Sequence, residues 1–160
     1  MTELERASHW DVMVGNTTVK RDLWDKLPRL YMDLIDEEFE ELLLAYADND
    51  LVETLDALGD LLKVVSGMVN SLGYCPEQLL KFINDSNFSK FTQDENIAKA
   101  SVDAYNAQER YHDVHYVQVG DWYIIRGYEG SNNEENSAPK VLKQIYYNSP
   151  NLKDFIKENV

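Results

Sequence analysis

Apolar residues recur at helical spacing from about residue 27 to 109 and then switch to alternation, so the chain is expected to be mainly α-helical with a small C-terminal β-hairpin. Residues 1–24 show no sustained period and contain the turn-like Val14-Gly15-Asn16-Thr17-Thr18; they read as an extension packed on the body. A first helix is predicted from near Pro28, with Asp25 upstream, through Leu30, Leu34, Phe39 and Leu42 to about Ala47. Asp48-Asn49-Asp50 is a turn, Asp50 an N-cap, and a second helix over 51–72 stops at Gly73. Pro76 opens a short third helix ending near Asn84 to Ser86, and Thr92 with Glu95 reads as a capping box for a fourth over about 93–109. His115 to Val119 and Trp122 to Arg126 then flank Gly120-Asp121 as a hairpin. Gly130 to Ser137 is a polar loop, and 140–160 is a tail of weak periodicity. We expect one domain over 1–160: extension 1–24, helical core 25–110, hairpin 111–130, loop and tail 131–160.

The two long helices differ in where their polar residues fall. At about 100° per residue, Glu37, Glu38 and Glu41 share the arc of Leu30, Leu34 and Ala45, next to a stripe of Ile35, Phe39, Leu42 and Tyr46. Asp33, Asp36 and Glu40 lie on the remaining side, as an ordinary solvated face does. In the second helix Leu51, Leu55, Leu58, Leu62, Val65 and Val69 form one apolar stripe, with Glu53, Asp56 and Asp60 opposite. That acidic arc also carries Ala57, Val64 and Gly67, which suit a close approach to another helix. A helix covered on both faces would also suit an oligomer.

Charge sharpens this picture. The chain has 29 acids against 15 bases, a net charge of −14, and residues 36–60 hold ten of those acids and no base. Such a balance argues against a phosphate-neutralising nucleic-acid binder. No apolar run reaches the roughly 18 to 20 residues of a membrane span, and the N-terminus lacks a signal-peptide layout. The single cysteine, Cys75, leaves a reducing cytoplasm as the expected compartment, and with no basic neighbour it is expected to be inert. Several carboxylates drawn together on two antiparallel helices raise one another's pKa, and a divalent cation is their natural partner. Oxygen-only donors select hard ions, Mg²⁺ first and Mn²⁺ as substitute. The alternative at this level is a solvated or structural acidic cluster.

The run Leu34-Ile35-Asp36-Glu37-Glu38-Phe39-Glu40-Glu41-Leu42 resembles the Glu-Glu-x-x-Glu helix of the all-α nucleoside triphosphate pyrophosphohydrolases, the MazG-like and phosphoribosyl-ATP pyrophosphohydrolase-like group. The order continues: Asp56-Ala57-Leu58-Gly59-Asp60 is similar to the second metal-binding helix, and Ser86-Asn87-Phe88-Ser89-Lys90 to the Ser-Asn-x-Ser-Lys element. Lys140-Val141-Leu142-Lys143, with Tyr146 and Pro150, resembles a tail frequent in phage-encoded members. The resemblance covers roughly residues 27–153. It implies a helical bundle completed by a homodimer or homotetramer, and hydrolysis of an NTP or dNTP to monophosphate and pyrophosphate.

The resemblance further implies Glu37, Glu38, Glu41 and Asp60 as metal ligands. Many relatives carry Glu where this chain has Ala57, so Glu53 and Asp56 are the available replacements. Glu38 or Glu41 is the candidate proton acceptor; Lys90, Lys63 and Lys143 are candidates to neutralise pyrophosphate, and Asn87 to position phosphate or sugar. Deoxynucleotides are favoured by the phage-like tail. The near alternative is a phosphoribosyl-ATP pyrophosphohydrolase, and the alternative of another class is a non-catalytic acidic bundle that mimics DNA. The three histidines and three tryptophans read as packing or surface residues, although an aromatic near the N-terminal extension could contact a nucleobase.

Overall fold

In the computed structural model, which describes residues 1–16, 21–129 and 139–158, the order is α1 (Glu3–Met13), α2 (Lys26–Ala47), α3 (Leu51–Ser71), α4 (Pro76–Phe88), α5 (Glu95–Asn106), β1 (Tyr111–Val119), β2 (Trp122–Glu129), β3 (Lys140–Val141) and α6 (Leu152–Glu158). The fold is therefore mainly α with a small antiparallel sheet. Its contacts separate into two compact units, Met1–Leu80 and Lys81–Glu158. No helix among the described residues is long and apolar enough to cross a membrane.

The first unit is built on the α2–α3 hairpin. Asn49, with φ of 56°, turns the chain, and the Asp50 carboxylate accepts from the Val52 and Glu53 N–H groups at 2.9 and 3.2 Å. Gly73, with φ of 87°, ends α3. Between the helices the contact is made by small residues. Ala45 on α2 and Ala57, Val64 and Gly67 on α3 are buried, and a Cβ on Gly67 would overlap the ring of buried Tyr31. The face of α3 that packs is thus the one carrying Asp56 and Asp60.

This reverses the simpler expectation for α3. Leu51, Leu55, Leu58, Leu62 and Val65 are 43 to 70% exposed, because a hairpin as close as this one needs alanine and glycine at its seam rather than leucine. On α2 the inward stripe is Tyr31, Leu34, Ile35, Glu38, Leu42 and Ala45, whereas Phe39 and Tyr46 point outward.

The N-terminal extension contains a helix that periodicity missed. Thr2 and Glu5 cap α1 reciprocally, and the helix packs on α3 mainly through polar residues, so it has no apolar stripe to read. Thr17 and Thr18 of the expected turn lie outside the described residues, as do 130–138 of the polar loop.

In the second unit α5 packs on a three-stranded sheet of order β1-β2-β3. The hairpin closes through Gly120-Asp121, with Val119 paired to Trp122, as its turn residues predict. Val114, Ile125 and Leu142 form the core, joined by Val102, Tyr105, Tyr111 and Tyr116. The expected Thr92–Glu95 capping box is not made. Asp94 caps α5 by accepting from the Asn96 N–H at 2.8 Å, while Glu95 accepts from the Tyr116 hydroxyl at 2.7 Å. The tail is more ordered than its weak periodicity suggests, because Lys140–Val141 adds a strand to β2 and Leu152–Glu158 forms α6.

Candidate active site

The acids of α2 and α3 meet across the hairpin. Glu38 lies on the inward stripe and is partly buried, whereas Glu37, Glu41, Asp56 and Asp60 line the exposed edges. Burial first, and then the negative charges of Asp60, Glu41, Glu37 and Asp56, push the Glu38 pKa above the ordinary glutamate value. That ordering reports the geometry, since Asp60 on the facing helix acts on Glu38 more strongly than its own helical neighbours do. Glu53 stands in the first turn of α3, one helical turn nearer the Asp48-Asn49-Asp50 loop than Asp56. Ala57 is 4% exposed in the helix seam.

Five carboxylates with no base between them form an oxygen-only donor set suited to a hard divalent cation. The side chains are not drawn into a ready cage: among the described residues no three His, Cys, Asp or Glu converge closely enough to hold a metal as they stand. The donor chemistry and the raised Glu38 pKa fit a cation, and the side chains would have to rotate to hold one. The groove is also open. A cleft of about 370 Å³ in this unit is lined by Leu4, Ser8, Asn70, Tyr74 and Pro76 among others, and by none of these five acids.

Lys63 has a partner inside the fold that sequence did not reveal. Its ammonium donates to Asp11 Oδ1 at 2.9 Å and sits 4.0 Å from the centroid of the Trp10 ring. Asp11 is 1% exposed, and it also accepts from the Tyr31 hydroxyl at 3.0 Å and from Asn70 Nδ2 at 3.1 Å. A carboxylate removed from water needs such a set of donors, so Lys63 serves the fold as its counter-ion. The only trace of this in the sequence is that Lys63 lies three positions after Asp60 and four before Gly67, which puts all three on one face of α3.

Burial and the Asp11 charge push the Tyr31 phenol up to about 12. The proton is then held more tightly in the folded chain than in the unfolded one. Stability from this group is complete below pH 10 and is lost as pH rises toward 12, a change of about 2 kcal/mol. Urea titrations at pH 9 and 11 should show that loss, and Tyr31→Phe should reduce it.

Asn87, Lys90 and Lys143 all belong to the second unit. Lys90 Nζ donates to Asn87 Oδ1 at 2.9 Å. The Ser86-Asn87-Phe88-Ser89-Lys90 turn is stitched to the C-terminal tail: Gln144 N–H donates to Lys90 O at 3.1 Å, and Gln144 Nε2 to Ser89 O at 3.1 Å. Lys143 Nζ lies 4.3 Å from the Tyr147 ring centroid, and the Tyr147 and Ser86 hydroxyls are 3.4 Å apart. Tyr147 is not marked by spacing, because only the tail's return beside the Ser86–Lys90 turn brings it to Ser86.

Comparison with known proteins bears on the hairpin directly. Residues 18–87 match the model of the phosphoribosyl-ATP pyrophosphohydrolase family, a span that holds all of α2 and α3 and most of α4. An uncharacterized protein of Acanthamoeba polyphaga mimivirus is 36% identical over 90 residues, covering 53% of this chain and 36% of that protein. The chain therefore spans about a third of the length of this curated relative. No solved structure matches. Through residues 18–87, the span that carries the facing acids of α2 and α3, this chain is similar to the phosphoribosyl-ATP pyrophosphohydrolase family.

Proposed function

We propose that the chain is a Mg²⁺-dependent nucleoside triphosphate pyrophosphohydrolase, taking an NTP or dNTP and water to the monophosphate and pyrophosphate. The reading rests on one observation above the others: a partly buried Glu38 whose proton affinity is raised by carboxylates of both helices. Glu37, Glu41, Asp56 and Asp60 are the residues that would hold Mg²⁺ or Mn²⁺, with Glu38 beside them. We choose Asp56 over Glu53 because Asp56 acts on Glu38 across the seam. A bound divalent cation would offset triphosphate charge and make hydroxide available near neutral pH. Glu38, with its raised pKa, is suited to accept the proton of the attacking water. Deoxynucleotides are the proposed substrates, on the strength of the Lys-Val-Leu-Lys tail. A second reading, cleavage of the same bond in phosphoribosyl-ATP, is favoured by the description of the matching family.

The exposed stripe Leu51, Leu55, Leu58, Leu62 and Val65 supports assembly as a homodimer or homotetramer, which would also close a groove left open in the single chain. Light scattering on the Leu55→Asp variant tests this; a lower oligomeric state is expected.

The metal site is tested by thermal melts. Mg²⁺ or Mn²⁺ should raise Tm progressively as its concentration passes the dissociation constant, by mass action. A charge mimic of DNA would instead respond to ionic strength, equally to NaCl and MgCl₂ at matched screening. Retention of the metal effect in Asp60→Asn would remove that residue from the site.

A further inference from the structure

One basic residue stands close to the acids of the α2–α3 hairpin. Residues 36–60 contain no Lys or Arg, and along α2 the base nearest to Glu37 is Arg29, eight positions away. Lys63, by contrast, is only three positions past Asp60 on α3. Residues three apart on a helix are surface neighbours, with Cβ atoms about 5 to 6 Å apart, and an acid preceding a lysine is the favourable order for an ion pair. Local chemistry alone would therefore set the Lys63 ammonium on the Asp60 carboxylate.

The fold sets it elsewhere. Among the described residues the carboxylate within ion-pair distance of Lys63 is Asp11 of α1, at 2.9 Å, and Asp60 is left without a cation. The competition is unequal. Asp60 lies on an exposed edge, where a lysine pair is worth little, whereas Asp11 is 1% exposed and loses its counter-ion at a high cost. The Trp10 ring, 4.0 Å from the ammonium, adds a cation–π contact on the same side. Helix α1 is in turn fastened along its length: the Thr2 hydroxyl donates to Glu77 at 2.9 Å, and Asn70 Nδ2 donates to Ser8 Oγ at 2.9 Å and to Asp11 Oδ2 at 3.1 Å.

We propose that Asp11 is a positioning residue for the acidic groove: by binding Lys63 it keeps that ammonium off Asp60 and leaves the Asp60 carboxylate open to a divalent cation. An ammonium on Asp60 would occupy a ligand oxygen and repel a dication a few ångströms away. Helix α1 precedes residues 18–87, so the device comes from outside the span that matches the family. Its consequence for metal rests on the metal site proposed above; the holding of Lys63 does not.

Two measurements on the full chain test this. The first uses no metal. A double-mutant cycle between Asp60→Asn and Lys63→Met, read as Tm in EDTA, should show no coupling while Asp11 is in place and a clear coupling once Asp11→Asn has freed the lysine. The second is a Mn²⁺ titration followed by loss of the free-ion EPR signal. We expect Asp11→Asn to bind Mn²⁺ about fivefold more weakly than the wild type, and Asp11→Asn/Lys63→Met to recover the wild-type affinity, because the competing cation is gone. Lys63→Met alone should melt lower yet bind Mn²⁺ as the wild type does, a separation that a purely structural role for the pair would not produce. Asp11→Leu, which buries no extra donor, repeats both measurements should Asp11→Asn fail to fold. Coupling between Asp60 and Lys63 with Asp11 in place, or unchanged Mn²⁺ affinity in Asp11→Asn, overturns the role. A wild type that binds no Mn²⁺ would overturn the proposed metal site instead, and the cycle in EDTA would then decide by itself whether Asp11 holds Lys63 off Asp60.

Discussion

Lys63→Met is expected to lower the stability of the chain by about 3 kcal/mol, because it leaves Asp11, 1% exposed, as a buried carboxylate without its cation. The hydrogen bonds from Tyr31 and Asn70 remain, which places the loss at the lower end of the range for breaking a buried pair. For a chain of this size that corresponds to a fall in Tm of about 6 to 12 °C. Removing both charges together, in Asp11→Leu/Lys63→Met, should restore much of the loss, since the uncompensated charge is then gone. Equal melting of Lys63→Met and wild type would show that the pair contributes nothing. The pair also explains why α1, which precedes the matched residues 18–87, is attached to α3 by polar residues. Its anchor is a buried charge whose counter-ion is supplied by α3.

Glu38→Gln is expected to reduce turnover by about two orders of magnitude or more while raising the Tm of the metal-free protein. Both effects have one cause. Glu38 has a folded-state pKa above its ordinary value, so its ionised form is disfavoured in the fold and costs stability at neutral pH. The metal-free wild type should therefore gain stability as pH falls through the carboxylate range, and Glu38→Gln should already have that gain at pH 7. Glu40→Gln, on the exposed side of the same helix, removes an equal charge away from the groove and should alter neither property much. A Glu38→Gln protein that keeps full turnover would exclude Glu38 as proton acceptor.

Much of this architecture is legible in the residues. Asp50 announces its cap, Gly73 its left-handed stop, and Gly120-Asp121 its two-residue turn, because in each case local backbone chemistry decides the outcome. What local pattern does not decide is which face of a helix meets which neighbour. On α3 the leucines look like core, yet the seam is taken by Ala57, Val64 and Gly67, since Tyr31 fits only over a residue without a side chain. The acids of Glu37, Glu38, Glu41, Asp56 and Asp60 can be collected by their position on two helices, and the structure adds that Glu38 alone among them is drawn inward. The Asp11–Lys63 pair and the Lys143–Tyr147 arrangement join residues far apart in the chain, and no spacing rule reaches that distance.

The central claim is that the acidic groove between α2 and α3 cleaves a nucleoside triphosphate to its monophosphate and pyrophosphate with a divalent metal. It is tested most directly by incubating the purified chain with Mg²⁺ or Mn²⁺ and each of the eight common NTPs and dNTPs, with phosphoribosyl-ATP alongside, and measuring pyrophosphate. We predict metal-dependent release from at least one of these, strongest among the deoxynucleotides, and loss of that release in Glu38→Gln. No pyrophosphate from any of them, with either metal, would contradict the account.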